Sequence, residues 1–281
     1  MLSNIKTFIL LAGMLSLTML AGQVFGGSTG LLIGGSFGLI MAFVSFWFSD
    51  SMVLRGYGAR VVDEAQAPEL FRMVDELRQR AGLPMPRVAI IPSPQPNAFA
   101  TGRSYDKAVV AVTEGILRQL PREELAGVIA HELAHIKNRD MLLQTVAAGI
   151  AAMLSNLPYL LMFAGRGDDD EGGHPIAQLA IAMLAPIAAM ILQFAISRQR
   201  EFAADRTGAE ILGRAKPLAQ ALTRIDAMAR QIPMHVAPAY APLAQVNPLA
   251  GVGGVAKLFS THPPTEDRVA ALLAFDAEQG R

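Results

Sequence analysis

His131-Glu132-Leu133-Ala134-His135 is the stretch of the chain most able to do chemistry. Two histidines four residues apart share one face of a helix, so both imidazoles can reach one metal ion. Glu132 points to a different face. It is placed to act as general base on a water held by that metal rather than as a ligand. Only the two histidines and the glutamate define this motif, so its surroundings decide whether the match is an accident. They favour a helix: Pro121 stands at an expected first helical position, Glu123 and Glu124 fall in the first turn, and Leu125, Val128, Ile129 and Leu133 recur at helical spacing.

The chain has no cysteine, which excludes a disulfide framework and thiol catalysis and leaves His, Asp and Glu as metal donors. A catalytic zinc keeps three protein ligands and an open fourth position, so two histidines are an incomplete set. The further donors to weigh are Glu201, His174, His235, His262 and Asp140. Asp140 is expected to point away from His135, because it follows the motif by a turn and a half.

The elements that must position these groups are of two kinds. Of the 281 residues 52% are hydrophobic and 17% charged, an excess that points to a lipid bilayer as a partner. Lys+Arg and Asp+Glu both number 24, so no net charge recruits nucleic acid. Residues 5–25 contain Lys6 as their only charge and are long enough to span a membrane. A cleaved signal peptide competes with that reading, but the run is long for one and a second uncharged run, 30–48, follows at once. Gly26-Gly27-Ser28-Thr29 is the tight connection of a hairpin. Residues 144–164 and 176–196 are two more uncharged apolar runs, joined by an acidic loop at 166–173, and read as a second hairpin. The expected organisation is a transmembrane hairpin at 1–50, the first part of a catalytic domain at 51–143, the second hairpin at 144–196 and the rest of the domain at 197–281. Lys6, Arg55, Arg60, Lys137, Arg139, Arg198 and Arg200 all flank the spans on one side, which the positive-inside rule makes cytoplasmic.

Outside the spans, Ala67 to Ala81 reads as an amphipathic helix with Leu70, Met73, Val74 and Leu77 on one face. Strands are expected at 87–91, 97–102 and 108–112, and Thr113 then starts a helix. The segment 197–205 is expected to continue the fourth span as helix, with further helix over 208–230. Residues 231–260 are rich in Pro, Gly and Ala and suggest no regular element. A last helix follows His262-Pro263-Pro264 and runs to about Ala277.

Four stretches in order carry a resemblance: Asn97-Ala98-Phe99-Ala100-Thr101-Gly102, His131 to Asp140, Arg200-Glu201-Phe202-Ala203-Ala204-Asp205, and Thr261-His262-Pro263-Pro264 with Arg268. With the spans, the chain resembles the HtpX-type membrane metalloproteases, bacterial enzymes related to the type 1 CAAX prenyl proteases. The resemblance implies an α+β, mostly helical, zincin-like domain with a small sheet, carried on four transmembrane helices. It implies one zinc ion per chain and endopeptidase activity at the bacterial inner membrane on damaged membrane proteins or unfolded polypeptides, as part of a stress response. It makes Glu201 the third ligand beside His131 and His135, places Asn97, Ala98 and Phe99 along the substrate cleft, and puts His262 near the site. From the residues themselves, His262 is a candidate second donor to the oxyanion, and Asp205, one turn after Glu201, a candidate acceptor for the free ring N–H of a ligating histidine; Asn97 by itself reads as a turn asparagine after Pro94 and Pro96, and the resemblance makes it a partner of substrate backbone. Two rivals remain at this stage: a prenyl-protein protease, which the short chain and few spans disfavour, and a non-enzymatic zinc-binding scaffold, which would have no use for Glu132.

Overall fold

The computed structural model describes residues 2–164, 187, 190–191, 197–232, 234, 236, 240–245 and 263–280. Helix α1 (Leu2–Gly56) is bent back on itself at Gly26 and Gly27, whose φ of 58° at Gly27 is open to glycine. The turn is tighter than expected, since Ser28 and Thr29 are already helical. Ile5–Gln23 and Gly26–Gly56 are each long and apolar enough to cross a membrane. A side chain at Gly22, Gly30 or Gly34 would strike the opposing backbone, so glycine sets how closely the two arms approach.

The second arm does not stop at residue 48. It runs on to Gly56, where Val53, Leu54 and Tyr57 bury against the sheet. That sheet holds β1 (Arg60–Val62), β2 (Arg87–Ile91), β3 (Ala98–Thr101) and β4 (Val109–Thr113) in the order β1-β2-β4-β3. β2 and β4 are parallel, and β1 and β3 flank them antiparallel. β1 was not expected, because its three residues are too short for an alternating pattern to register. The inner strands read as continuous apolar runs because both faces are covered. Val88, Ala98, Ala100, Val110 and Val112 face α2 (Pro68–Ala81) and α4 (Arg122–Lys137). Ala89, Phe99, Val109 and Ala111 face the end of α1 and the start of α5 (Met141–Ala164).

Between β4 and α4 lies the short helix α3 (Glu114–Gln119), where Thr113 accepts a hydrogen bond from the Ile116 N–H, the expected cap. After α5, α6 (Arg198–Leu212) and α7 (Lys216–Ala229) pack on α4, and α8 (Thr265–Glu278) packs on both of them. Asp276 caps the start of α7 through the N–H groups of Ala215 and Lys216 at 2.7 and 2.9 Å, which fixes α8 in place.

Two expectations need correction. α6 is not a continuation of a preceding span: Ser197 is extended (φ −133°, ψ 125°) and its carbonyl accepts from Arg200 and Glu201, so the helix starts anew. The helix expected over 208–230 is two helices, separated where Gly213 takes a left-handed φ of 91°. The two arms of α1 are the membrane-length helices among the described residues. α5 is apolar, but Leu143, Val146, Ala147 and Ile150 in its first half are fully buried. Most of the run 176–196, with the acidic loop, lies outside the described residues.

Candidate metal centre and active site

α4 is the central helix of the catalytic domain, and nearly every residue from Glu124 to Ile136 on it is buried. Its helical register brings His131 and His135 together, with Nε2 atoms 3.0 Å apart and rings nearly perpendicular. α6 supplies the third group: Glu201 Oε1 is 3.6 Å from His135 Nε2, and Oε2 is 3.9 Å from His131 Nε2. Close approach of α6 to α4 depends on Gly208, where a Cβ would lie 3.0 Å from the His131 backbone.

These donors fit a metal. Tetrahedral coordination with bonds of about 2.0–2.1 Å needs donor atoms about 3.3 Å apart, in the range the three side chains already span. All three are buried, and their donor atoms lie within 4.8 Å of one another. Two imidazoles and one carboxylate suit a transition-series or zinc ion rather than calcium or magnesium, which take oxygen sets.

The surroundings orient each donor. Asp205 Oδ1 is 2.8 Å from His131 Nδ1. Asp205 is held in turn by Arg268 of α8, which donates from Nε and NH2 at 2.8 and 2.7 Å. Asp140 does not point away as expected. Arg139 adopts a left-handed φ of 60°, which folds the chain back so that the Asp140 N–H meets the His135 carbonyl at 3.1 Å. Asp140 Oδ2 then lies 3.5 Å from His135 Nδ1, at the outer limit of hydrogen-bonding distance.

The electrostatics follow from burial. Burial, opposed by the hydrogen bond to Asp205, lowers His131 to about 4. Burial also works against charge on His135, but Glu201 and then Asp140 outweigh it and raise His135 to about 9. The carboxylates of Glu201 and Asp140 thus favour positive charge at His135. Asp205 is buried too, yet Arg268 holds it well below the usual carboxylate range. Glu132 stands outside the donor cluster and accepts a hydrogen bond from the backbone of Ala100 in β3. Burial raises it to about 7, against the opposing pull of His135.

The remaining expected residues divide. Ala98 is on β3, an edge strand of the sheet among the described residues, with β4 on its other side. The Asn97 side chain is buried, and its Oδ1 accepts from the Ala98 N–H at 3.0 Å. Phe99 faces the opposite side of the sheet from α4 and stacks near Tyr57 at 4.5 Å. His262, His174 and His235 lie outside the described residues. Two residues that no motif marked also line the site, Gln144 of α5 and Gln245. Gln245 sits in the Pro/Gly/Ala-rich stretch, where a lone glutamine belongs to no recognisable pattern.

Comparison with known proteins places the chain among peptidases by sequence. The sequence profile of peptidase family M48 matches residues 64–276. A protease HtpX homolog from Gemmatimonas aurantiaca is 57% identical over 279 residues, spanning 98% of this chain and 100% of its own length. Another from Ralstonia pickettii is 50% identical over 277 residues, spanning 97% of this chain and 96% of its own. Among solved structures, S. mikatae Ste24p superposes with a TM-score of 0.49 at 16% identity, covering 96% of this chain and 65% of that one.

Proposed function

The chain belongs to peptidase family M48, alongside the HtpX proteases, and from that premise we propose that it is a zinc-dependent endopeptidase that cleaves misfolded or damaged membrane proteins under stress. The observation that carries the reading is the pairing of a three-donor cluster with Glu132, a buried carboxylate beside the cluster but outside it. In this reading His131, His135 and Glu201 hold one zinc ion. Bound zinc supplies Lewis-acid chemistry, lowering the pKa of water toward about 7 and polarising a carbonyl.

The chain's own groups do the rest. Glu132, buried beside the donor cluster, takes the proton of the attacking water and returns it to the departing amine. Asp205 fixes the tautomer of His131, and Arg268 keeps Asp205 ionised and in place. The substrate lies as an added strand along the outer edge of β3, next to Asn97, Ala98 and Phe99. His262 is the candidate second donor to the oxyanion. The protein is set in the bacterial inner membrane by four spans, of which the arms of α1 are two. The Lys/Arg asymmetry puts the catalytic domain in the cytoplasm.

The test is a proteolysis assay on a membrane-tethered unfolded protein, with zinc measured on the same preparations. Glu132→Gln should keep a full equivalent of zinc while hydrolysis falls about 10²–10⁴-fold. Glu201→Ala should lose zinc and activity together. A full equivalent of zinc retained by Glu201→Ala would overturn the ligand assignment, and undiminished hydrolysis by Glu132→Gln would overturn the mechanism.

A further inference from the structure

The cavity bounded by His131, Glu132, His135 and Glu201 has a volume of only about 10 Å³. That is room for about one water molecule and not for a peptide. What closes it is the chain itself. Residues 240–245 include a single 3-10 turn at Ala241–Leu243, and Leu243, Ala244 and Gln245 form one wall of the cavity.

Gln245 makes two kinds of contact that a substrate would need. Its backbone N–H donates to the Ala98 carbonyl at 2.9 Å, on the outer edge of β3. A peptide added to that edge requires the same acceptor. Its carboxamide, oriented to satisfy its neighbours, places Nε2 2.7 Å from Glu132 Oε1 and 3.3 Å from His131 Nε2, while Oε1 accepts from Arg268 at 2.9 Å. An amide group therefore lies between the general base and the metal donors, where a scissile amide belongs. A half-turn of a carboxamide exchanges donor for acceptor, so the same side chain can answer either a carboxylate or a cation.

We propose that residues 240–245 are an intramolecular substrate mimic, in which Gln245 fills the β3 acceptor with its backbone and the catalytic space with its carboxamide, and that this segment must swing out before a polypeptide can be cut. The proposal rests on β3 being the strand that receives substrate. The segment has a natural pivot at Tyr240, whose carbonyl accepts from the Tyr57 hydroxyl at 2.9 Å and whose ring packs near that of Tyr57. Beyond Tyr240, Ala241 is buried with Val236 as its hydrophobic neighbour, and the turn Ala241–Leu243 rests on β3 and α5. An enzyme closed in this way is selective by access: a folded protein has no free strand to compete for the Ala98 carbonyl, whereas an unfolded segment does.

The experiment uses the full-length, zinc-loaded protein in detergent micelles and a peptidyl hydroxamate as probe. If the closed form dominates by about tenfold, Gln245→Ala should bind the hydroxamate about tenfold more tightly at unchanged zinc content. A second measurement leaves Gln245 intact. Because the chain has no cysteine, Ala241→Cys is a unique reporter at a buried position outside the donor cluster. Saturating hydroxamate should speed its alkylation by N-ethylmaleimide several-fold. Equal hydroxamate affinity with and without Gln245, or alkylation of Ala241→Cys unmoved by the probe, would overturn the substrate mimic alone. Absence of zinc-dependent hydroxamate binding in either protein would overturn it together with the functional reading.

Discussion

In the amino-terminal hairpin the side chains of Phe8, Leu20 and Leu32 stand 64–73% exposed, whereas beside α4 the guanidinium of Arg268 is 2% exposed. Each region would be unstable in the other's surroundings. The hairpin satisfies its backbone within its own helices and leaves its apolar surface outward, which is stable only in a medium as apolar as itself. The catalytic domain does the reverse. It encloses Arg268, Asp205, Glu201, Glu132 and both histidines, groups whose burial is tolerable only because each has a partner. In the hairpin a helix is held by length and apolarity. Around the site it is held by charge pairing that tolerates no missing member.

Breaking one member of the buried network should therefore produce the largest effect. Arg268→Met leaves Asp205 buried without its cation and with the His131 ring as its remaining partner, and the expected cost is about 3–5 kcal/mol in stability. The double variant Arg268→Met with Asp205→Leu removes both charges and should recover most of that loss, since apolar replacement of a buried pair is often neutral. Metal affinity should not recover, because His131 has lost its orienting acceptor, and a loss of roughly 10–100-fold is expected. Chemical denaturation and zinc titration on the two variants separate these terms. A single variant as stable as the double would show that Asp205 finds another partner or takes up a proton.

A smaller effect should come from crowding the helices that carry the ligands. In Gly208→Ala the new methyl meets the His131 backbone at 3.0 Å, and neither α4 nor α6 can yield without displacing Glu201 from the histidines. Overpacking of this kind costs about 1–3 kcal/mol, and zinc affinity should fall with it. The matched change in the hairpin is Gly35→Ala, whose Cβ would meet only the flexible Met19 side chain at 3.4 Å. It should leave thermal unfolding unmoved. Equal responses at the two glycines would erase the distinction between the packed catalytic core and the room beside Gly35 in the hairpin.

The same contrast explains which parts of the molecule could be read from the sequence. The arms of α1 are legible because an uncharged run of membrane length has few alternatives, and α4 because its motif, first-turn acids and apolar spacing agree. Local pattern could not show that Ser197 interrupts the helix before Glu201, since an extended serine differs from a helical one only in its backbone. Asp140 was misplaced for a related reason: projecting a straight helix past Lys137 misses the left-handed turn at Arg139. Arg268 lies 63 residues from Asp205, and nothing local marks it as that residue's partner. Gln245 is harder still, because its contacts with Ala98, Glu132 and Arg268 come from three other elements.

The finest test of the comparison uses one substitution in both regions. Leu133 is fully buried on α4, within the core cluster shared with the sheet, whereas Leu32 is 69% exposed on the second arm of α1. Leu133→Ala opens a cavity that close-packed neighbours cannot fill, and should cost about 2–5 kcal/mol. If Leu32 faces lipid, Leu32→Ala replaces side-chain contacts with contacts to acyl or detergent chains of the same polarity, so the hydrophobic contribution nearly cancels. The expected change is within about 0.5 kcal/mol, the range of a neutral surface substitution. Thermal unfolding of both variants in the same micelles measures the difference. A fall in Tm for Leu32→Ala as large as that for Leu133→Ala would mean that the outward face of the hairpin is packed against protein, and the lipid-facing assignment of this arm would fail.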